Sequence, residues 1–273
     1  MKEMILGDRM KFYENFNKQF LAPNQYVLMR LDGKSFSNFT KKYFNKPFDN
    51  NFINIMQEVA KYLFSNISGC CAAYVQSDEI TLLLTDMKSK GMEGWFNYRV
   101  DKMCSIAASM ATAKFNNLLY ALIFENLYTK CDMLPTFNTY EISDELNQMP
   151  LPVFDCRVWN VPNSDEAKNV FLWRQRDCIR NSVLQYAQSF FTHKELMNKN
   201  IDAVKELIRN KFPNDDNEWW ENLDNVVKYG TFFFKEFDTT INRHVIIKFN
   251  NLMENNENIS CEFKHIFDDV VKY

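Results

Sequence analysis

The chain has 273 residues, of which 46 % are apolar and 25 % charged, with a formal net charge of −3 and a pI near 5.7. That length supports a sizeable core in one large domain or two small ones, and the composition is that of an ordinary globular chain. The mild acidity excludes a broadly basic nucleic-acid-binding surface, though a local patch can still hold phosphates on an acidic protein.

In chain order, residues 8–20 read as a first helix. Residues 25–31, QYVLMRL, form an apolar run suited to a buried strand that ends at Asp32-Gly33. Residues 50–66 place apolar side chains at 52, 53, 55, 56, 59, 62 and 63, one face of a helix. Two β-rich runs, 70–76 and 79–85, flank Ser77-Asp78 and predict a hairpin. Residues 92–120 read as a long helix whose Ala107, Ala108, Ser109, Ala111 and Ala113 admit a close neighbour. A strand is expected at 153–161 between Pro152 and Pro162, then helices at 164–190 and 193–211. A polar loop with two Trp follows, and a β tail from VVKYGTFFFKE to RHVIIKF. The order β-α-β-β-α-β predicts an α+β fold with a ferredoxin-like antiparallel sheet, helices on one face, and a C-terminal helical and β extension. Residues 1–150 are assigned to the site-bearing domain and 151–273 to the remainder of the core and that extension.

The 25 Phe are read chiefly as an aromatic core. Seven Cys (70, 71, 104, 131, 156, 178 and 261) include no C-x-x-C pair and read as reduced, mostly buried thiols. No apolar run reaches the roughly 20 residues of a membrane span, and the N-terminus has no signal-peptide pattern. A cytoplasmic protein with no membrane partner is the expectation. The three His, at 193, 244 and 265, adjoin no carboxylate or Cys cluster, so any chemistry falls to carboxylates.

Asp32 and Asp78-Glu79 each follow or separate apolar strands that are neighbours in this topology. Carboxylates converging there repel unless a cation intervenes. Oxygen ligands of this kind suit Mg²⁺, and two such ions clamp an in-line phosphoryl displacement. The same residues also suit an Asp-Gly turn and a solvated hairpin end. Arg99 and Lys102, three apart on the expected helix, offer cations for a triphosphate or simply a solvated face.

Several segments resemble one family in that family's order. RLDGKSFSNF (30–39), NKPFD (45–49), AYVQSDEITLLL (73–84), WFNYRVDKMCSIAASMATAKF (95–115) and FDCRVWNVPNSDEAKNVFLWRQRDCIRNS (154–182) resemble motifs of the tRNA-His guanylyltransferases. KYGTFFFKE (228–236) is similar to the tail of shorter, template-dependent members. The resemblance implies a polymerase-like palm that adds nucleotides to the 5′ end of tRNA, in the 3′-to-5′ direction, with ATP and GTP as substrates and a homotetrameric assembly. It implies two magnesium ions on Asp32 and Asp78 with the Gly33 carbonyl, and Glu79 beside them as a further catalytic group. It places Ser77 and Lys46 on triphosphate, Asp49 near the base, Arg99 and Lys102 on phosphate or the 5′ end, and Arg30 in support.

The chain departs from the pattern of the eukaryotic enzymes. After the WRQ-x-D-C segment it has Ile179 and Gln185 where those enzymes carry His and a final Asn, and it has Lys34 in place of the arginine of RLDGR. Template-dependent 5′-end repair is therefore favoured over addition restricted to tRNA-His. A nucleotide cyclase sharing this palm and a non-catalytic RNA-binding module are the alternatives.

Overall fold

The computed structural model describes residues 5–87, 93–130, 151–212, 219–238 and 243–250. The elements are α1 (Leu6–Asn15), β1 (Tyr26–Gly33), α2 (Phe36–Tyr43), α3 (Asn50–Asn66), β2 (Cys70–Gln76), β3 (Glu79–Leu84), a 3-10 turn (Trp95–Tyr98) and α4 (Val100–Lys130). Then come β4 (Phe154–Val161), α5 (Ser164–Ala187), α6 (His193–Leu196), α7 (Ile201–Lys211), α8 (Asn225–Tyr229), β5 (Thr231–Asp238) and β6 (Arg243–Phe249).

The strands form one antiparallel sheet in the order β4-β1-β3-β2-β5-β6. Its first four strands are the expected ferredoxin-like core, and β5 and β6 extend it on the β2 side. Strand alternation divides β1 between two cores. Val27, Met29 and Leu31 face α3 and α4, packing with Met56, Val59, Leu63, Ala107 and Ala111. Tyr26 and Leu28 face the opposite side, with Ala167, Phe171 and Cys178 of α5 and with Tyr74 and Phe232. The helices on one face are thus those of the core, α3 and α4, and the extension adds α5 to the other. A third cluster, including Val183, Ala187, Val204, Ile208 and Trp219, packs the end of α5 against α7.

Among the described residues, ten Phe are buried in the core. Phe36 sits among Phe39, Phe52, Phe115 and Phe154, with ring centroids 5.7, 6.2, 5.1 and 5.0 Å away. The buried Ala107 and Ala111 of α4 take the close contacts that their size allows. Cys70, Cys71, Cys104, Cys156 and Cys178 are free thiols, while Cys131 and Cys261 lie outside the described residues. No described helix is long and apolar enough to cross a membrane.

Three helix boundaries differ from the sequence reading. The first helix stops at Asn15, because residues 19–21 leave it to pair with 98–100. The long helix starts only at Val100, since Phe96, Asn97 and Tyr98 take positive φ. Arg99 therefore precedes that helix instead of sharing a face with Lys102. The stretch 193–211 is two helices: Asn198 adopts the left-handed conformation that Asn tolerates, and Asn200 caps a new start by accepting from the Ala203 N–H.

Candidate active site

The end of β1 and the turn between β2 and β3 meet at one point. Register sets Asp32 opposite Glu79 on β3 and opposite Asp155 on β4. The Gly33 N–H donates to the Asp78 carbonyl at 3.1 Å, pinning the hairpin turn to the strand end. Ser77 holds the turn with a φ of 46°, and its hydroxyl donates to Asp78 Oδ1 at 3.1 Å. Gly33 lies against Phe36 so closely that a Cβ would come within 2.4 Å of the ring. The strand end, and with it Asp32, thereby rests directly on the aromatic core.

Burial, and then the charge of Asp32, push the Asp78 carboxyl up to about 6. Burial and then Asp155 raise Asp32, partly offset by Arg157, Arg30 and Arg174. Among the described residues no ion pair holds Asp32 or Asp78. Glu79 differs from both. Burial raises its pKa, but Arg174 Nε donates to Oε1 at 2.6 Å and Arg30 Nε stands 3.9 Å from Oε2. Arg174 also bonds Asp177 at 2.7 Å. Glu79 is therefore committed to a guanidinium clamp beneath the site, whereas Asp32 and Asp78 are left facing each other's charge.

Asp32, Gly33, Ser77, Asp78 and Glu79 border a cavity of about 930 Å³, whose wall also includes Lys46, Asp49, Asn181 and Gln185. That volume lies at the upper end of the range for small-molecule sites. Lys46 Nζ donates to Thr40 Oγ1 at 2.8 Å. Its burial lowers its pKa, against the opposing pull of Asp78 and Asp49. Asp49 caps α3: its Oδ1 accepts from the N–H groups of Asn51 and Phe52, and Oδ2 from that of Asn45. Gln185 Nε2 donates to the Pro47 carbonyl at 2.6 Å, tying α5 to the 45–49 loop across the cavity.

Arg30, Arg99 and Lys102 do not line this cavity. Arg30 lies behind it, against Glu79 and 5.5 Å from the Trp173 ring centroid. Arg99 is locked in a two-pronged bond with Asp101, both contacts at 2.7 Å, and Lys102 lies 5.9 Å from the Phe96 ring centroid. After the 3-10 turn this segment pairs with residues 19–21. Conversely, Arg174, Asp177 and Asp155 join the site or its support without a role expected from the sequence, and Gln185, expected only to bear on the choice of RNA, lines the cavity. The signal available was the charge cluster at 174–177, whose partners lie about 95 residues earlier.

Among the described residues no three His, Cys, Asp or Glu converge as a complete metal cage. Two facing carboxylates of raised pKa nonetheless fit Mg²⁺, which takes one or two carboxylates and completes its shell with water and substrate phosphate. A cation there would favour the charged form of both groups, against the burial that chiefly raises them and the Asp32 charge that adds to it at Asp78.

A family model for tRNA-His guanylyltransferase matches residues 7–162. A protein of Acanthamoeba polyphaga mimivirus is 31 % identical over 248 residues, spanning 87 % of this chain and 79 % of its own. The tRNA-His guanylyltransferase of Debaryomyces hansenii is 28 % identical over 246 residues, spanning 85 % of this chain and 82 % of its own. Among solved structures, a bacterial tRNA-His guanylyltransferase-like protein in complex with ATP superposes with a TM-score of 0.73 at 32 % identity, over 97 % of this chain and 99 % of that one. A bacterial protein of the same kind in complex with GTP gives 0.70 and 30 %, over 98 % and 99 %. The matched stretch includes β1 through β4, and with them both carboxylates: the chain belongs to the tRNA-His guanylyltransferase family of nucleotidyltransferases.

Proposed function

We propose that this nucleotidyltransferase adds nucleotides to the 5′ end of tRNA or a tRNA-like RNA in the 3′-to-5′ direction, copying the opposite strand to repair truncated ends. The observation that carries this reading is the pair Asp32 and Asp78, juxtaposed at the rim of a cavity large enough for a triphosphate and, among the described residues, in contact ion pairing with no protein cation. Asp32, Asp78 and the Gly33 carbonyl would hold magnesium, which would supply charge neutralisation at the transferring phosphoryl group. The protein's own groups do the rest. Ser77 and Lys46 approach the triphosphate, with Lys46 steered by Thr40. Glu79 braces the Asp78 turn through its clamp with Arg30 and Arg174, so its part is to hold position. Asp49 fixes the start of α3 near the base. Residues 1–150 supply the metal-binding edge, and the remainder closes the cavity through α5.

ATP serves to activate a 5′-monophosphate and GTP is one incoming nucleotide, in keeping with the ATP and GTP complexes among the similar bacterial structures. Template dependence is favoured over addition restricted to tRNA-His by Gln185, which bonds the Pro47 carbonyl where the restricted enzymes carry Asn. A homotetramer is part of this reading, and α1 supports it. None of that helix is buried, and it exposes Leu6, Met10, Phe12 and Tyr13, with Phe16 and Phe20 just beyond it.

The test is a 5′-monophosphorylated tRNA lacking its first nucleotide, given ATP, Mg²⁺ and each nucleoside triphosphate in turn. Extension only by the nucleotide that pairs with the 3′ strand is expected. Addition of G regardless of template would replace this reading with the restricted one. A cyclic nucleotide product without RNA would replace it with a cyclase.

A further inference from the structure

Five of the chain's nine arginines, at 30, 157, 174, 176 and 180, belong to β1, β4 and α5. Arg30 and Arg157 are direct partners across β1 and β4. Along α5, Trp173, Arg176 and Arg180 follow helical spacing and share one exposed stripe. Asp177 and Asn181, one position further round the helix, line the catalytic cavity. The stripe therefore runs beside that cavity's rim.

Trp173 is unusual for a large aromatic ring in being 52 % exposed. The guanidiniums of Arg30 and Arg174 lie 5.5 and 4.5 Å from its centroid, and both also reach Glu79. They support the ring from the protein side and leave area open to solvent. Acidic groups nearby are already committed: Asp155 pairs with Arg157 at 3.5 Å, and Glu79 and Asp177 pair with Arg174. Arg176 and Arg180 have no ion-pair partner among the described residues. An exposed ring on a cationic bed, flanked by unpaired guanidiniums, is the combination that holds a nucleobase by stacking and its backbone by charge. In a chain of net charge −3, Arg176 and Arg180 leave a local positive strip beside the ring.

We propose that Trp173 is a stacking platform for an unpaired base of the acceptor RNA next to its growing 5′ end, with Arg176 and Arg180 on the adjoining phosphates. This rests on the 5′-end transfer proposed above and adds the path by which the RNA reaches the carboxylates. It also explains how an acidic protein gains affinity for RNA: the contact is confined to one strip.

The experiment measures binding of a fluorescent, 5′-monophosphorylated tRNA lacking its first nucleotide, by anisotropy across a salt series. Trp173→Ala is expected to weaken binding roughly tenfold, and Trp173→Phe to restore most of it. Arg176→Gln and Arg180→Gln are each expected to lower the slope of log affinity against log salt by about one. ATP binding by these two variants should match the parent, since neither side chain touches the site carboxylates. They carry the test even if Trp173→Ala perturbs folding. Parent-like RNA affinity and salt slope in both arginine variants, or loss of the oligomer in place of RNA affinity, would overturn the platform. Were RNA binding to depend on Trp173 while no nucleotide is transferred, the platform would stand and the transfer reading would fall. Templated transfer with RNA affinity indifferent to all the variants would have the opposite meaning.

Discussion

The N–H of Gly33 donates to the carbonyl of Asp78 at 3.1 Å, joining the end of β1 to a turn 45 residues later. The bond places two acidic side chains at one point before any ligand arrives. Gly33 performs this only because it has no side chain, for Phe36 fills the space a Cβ would need. Phe36 is buried at the centre of the aromatic cluster and has nowhere to retreat. Gly33→Ala is expected to cost about 1–3 kcal/mol of stability from overpacking. Nucleotide transfer should fall further than the stability loss explains, because the strand end must shift. Denaturant melts beside transfer rates at a temperature where the variant remains folded check this.

Asp78→Asn should separate stability from activity. The folded-state pKa of Asp78, about 6, lies above its ordinary 3.8. A raised pKa means that protonation favours the fold. The stability tied to the neutral form is fully present below about 3.8 and is lost as pH rises through about 6. At pH 7.5 without metal, the charged carboxylate therefore destabilises the protein, and a neutral amide of the same shape removes that penalty. The variant is expected to melt several degrees higher in chelator while transferring no nucleotide. A lower melting temperature in chelator would show that the charged form of Asp78 carries no such penalty from its burial and from Asp32.

The same groups give magnesium dependence a direction. Protons and metal compete for Asp78 and Asp32, so apparent Mg²⁺ affinity should rise from pH 5.5 to 7 and level off above that. Titrations of Mg²⁺ at fixed nucleotide, read by transfer rate and by thermal shift, measure it. An affinity that does not change over that interval would place the metal elsewhere.

Arg174 reaches across the fold from α5 to Glu79. Both side chains are largely buried, at 8 % and 12 % exposure. Arg174→Met leaves Glu79 with the longer Arg30 contact and a 3.4 Å bond from Gln76, takes the cation from Asp177 as well, and is expected to cost about 3 kcal/mol. Adding Glu79→Gln should recover part of that stability, since the largely buried carboxylate left by Arg174 is then neutral. A double-mutant cycle on urea midpoints gives the coupling; strict additivity would mean that the two side chains do not depend on each other.

Assembly should depend on α1. Phe12→Glu with Phe16→Glu places charge on its exposed apolar face, where no intrachain core packing is lost. The expected result by light scattering is a smaller assembly with an unchanged melting profile for the monomer. A parent-like mass would assign the oligomer contact to another surface.

Much of the architecture was legible because it is local. The apolar spacing of residues 50–66 defines α3 to the residue, and Ser77-Asp78 between two β-rich runs defines the hairpin. Asp32 and Asp78 could be named from the sequence because each ends a strand or forms a turn, and chain topology puts such ends together. What only the tertiary structure decided is which side chains neutralise which. Glu79 stands beside Asp78 in sequence, yet Arg174 and Arg30 claim it. Arg99 has the charge a triphosphate needs, yet three residues of positive φ before it send it to Asp101. Periodicity reports which face of an element is buried, and it holds over a few turns. A salt bridge spanning 95 residues depends on strand register and on which sheet face a later helix covers, and those follow from packing the whole chain.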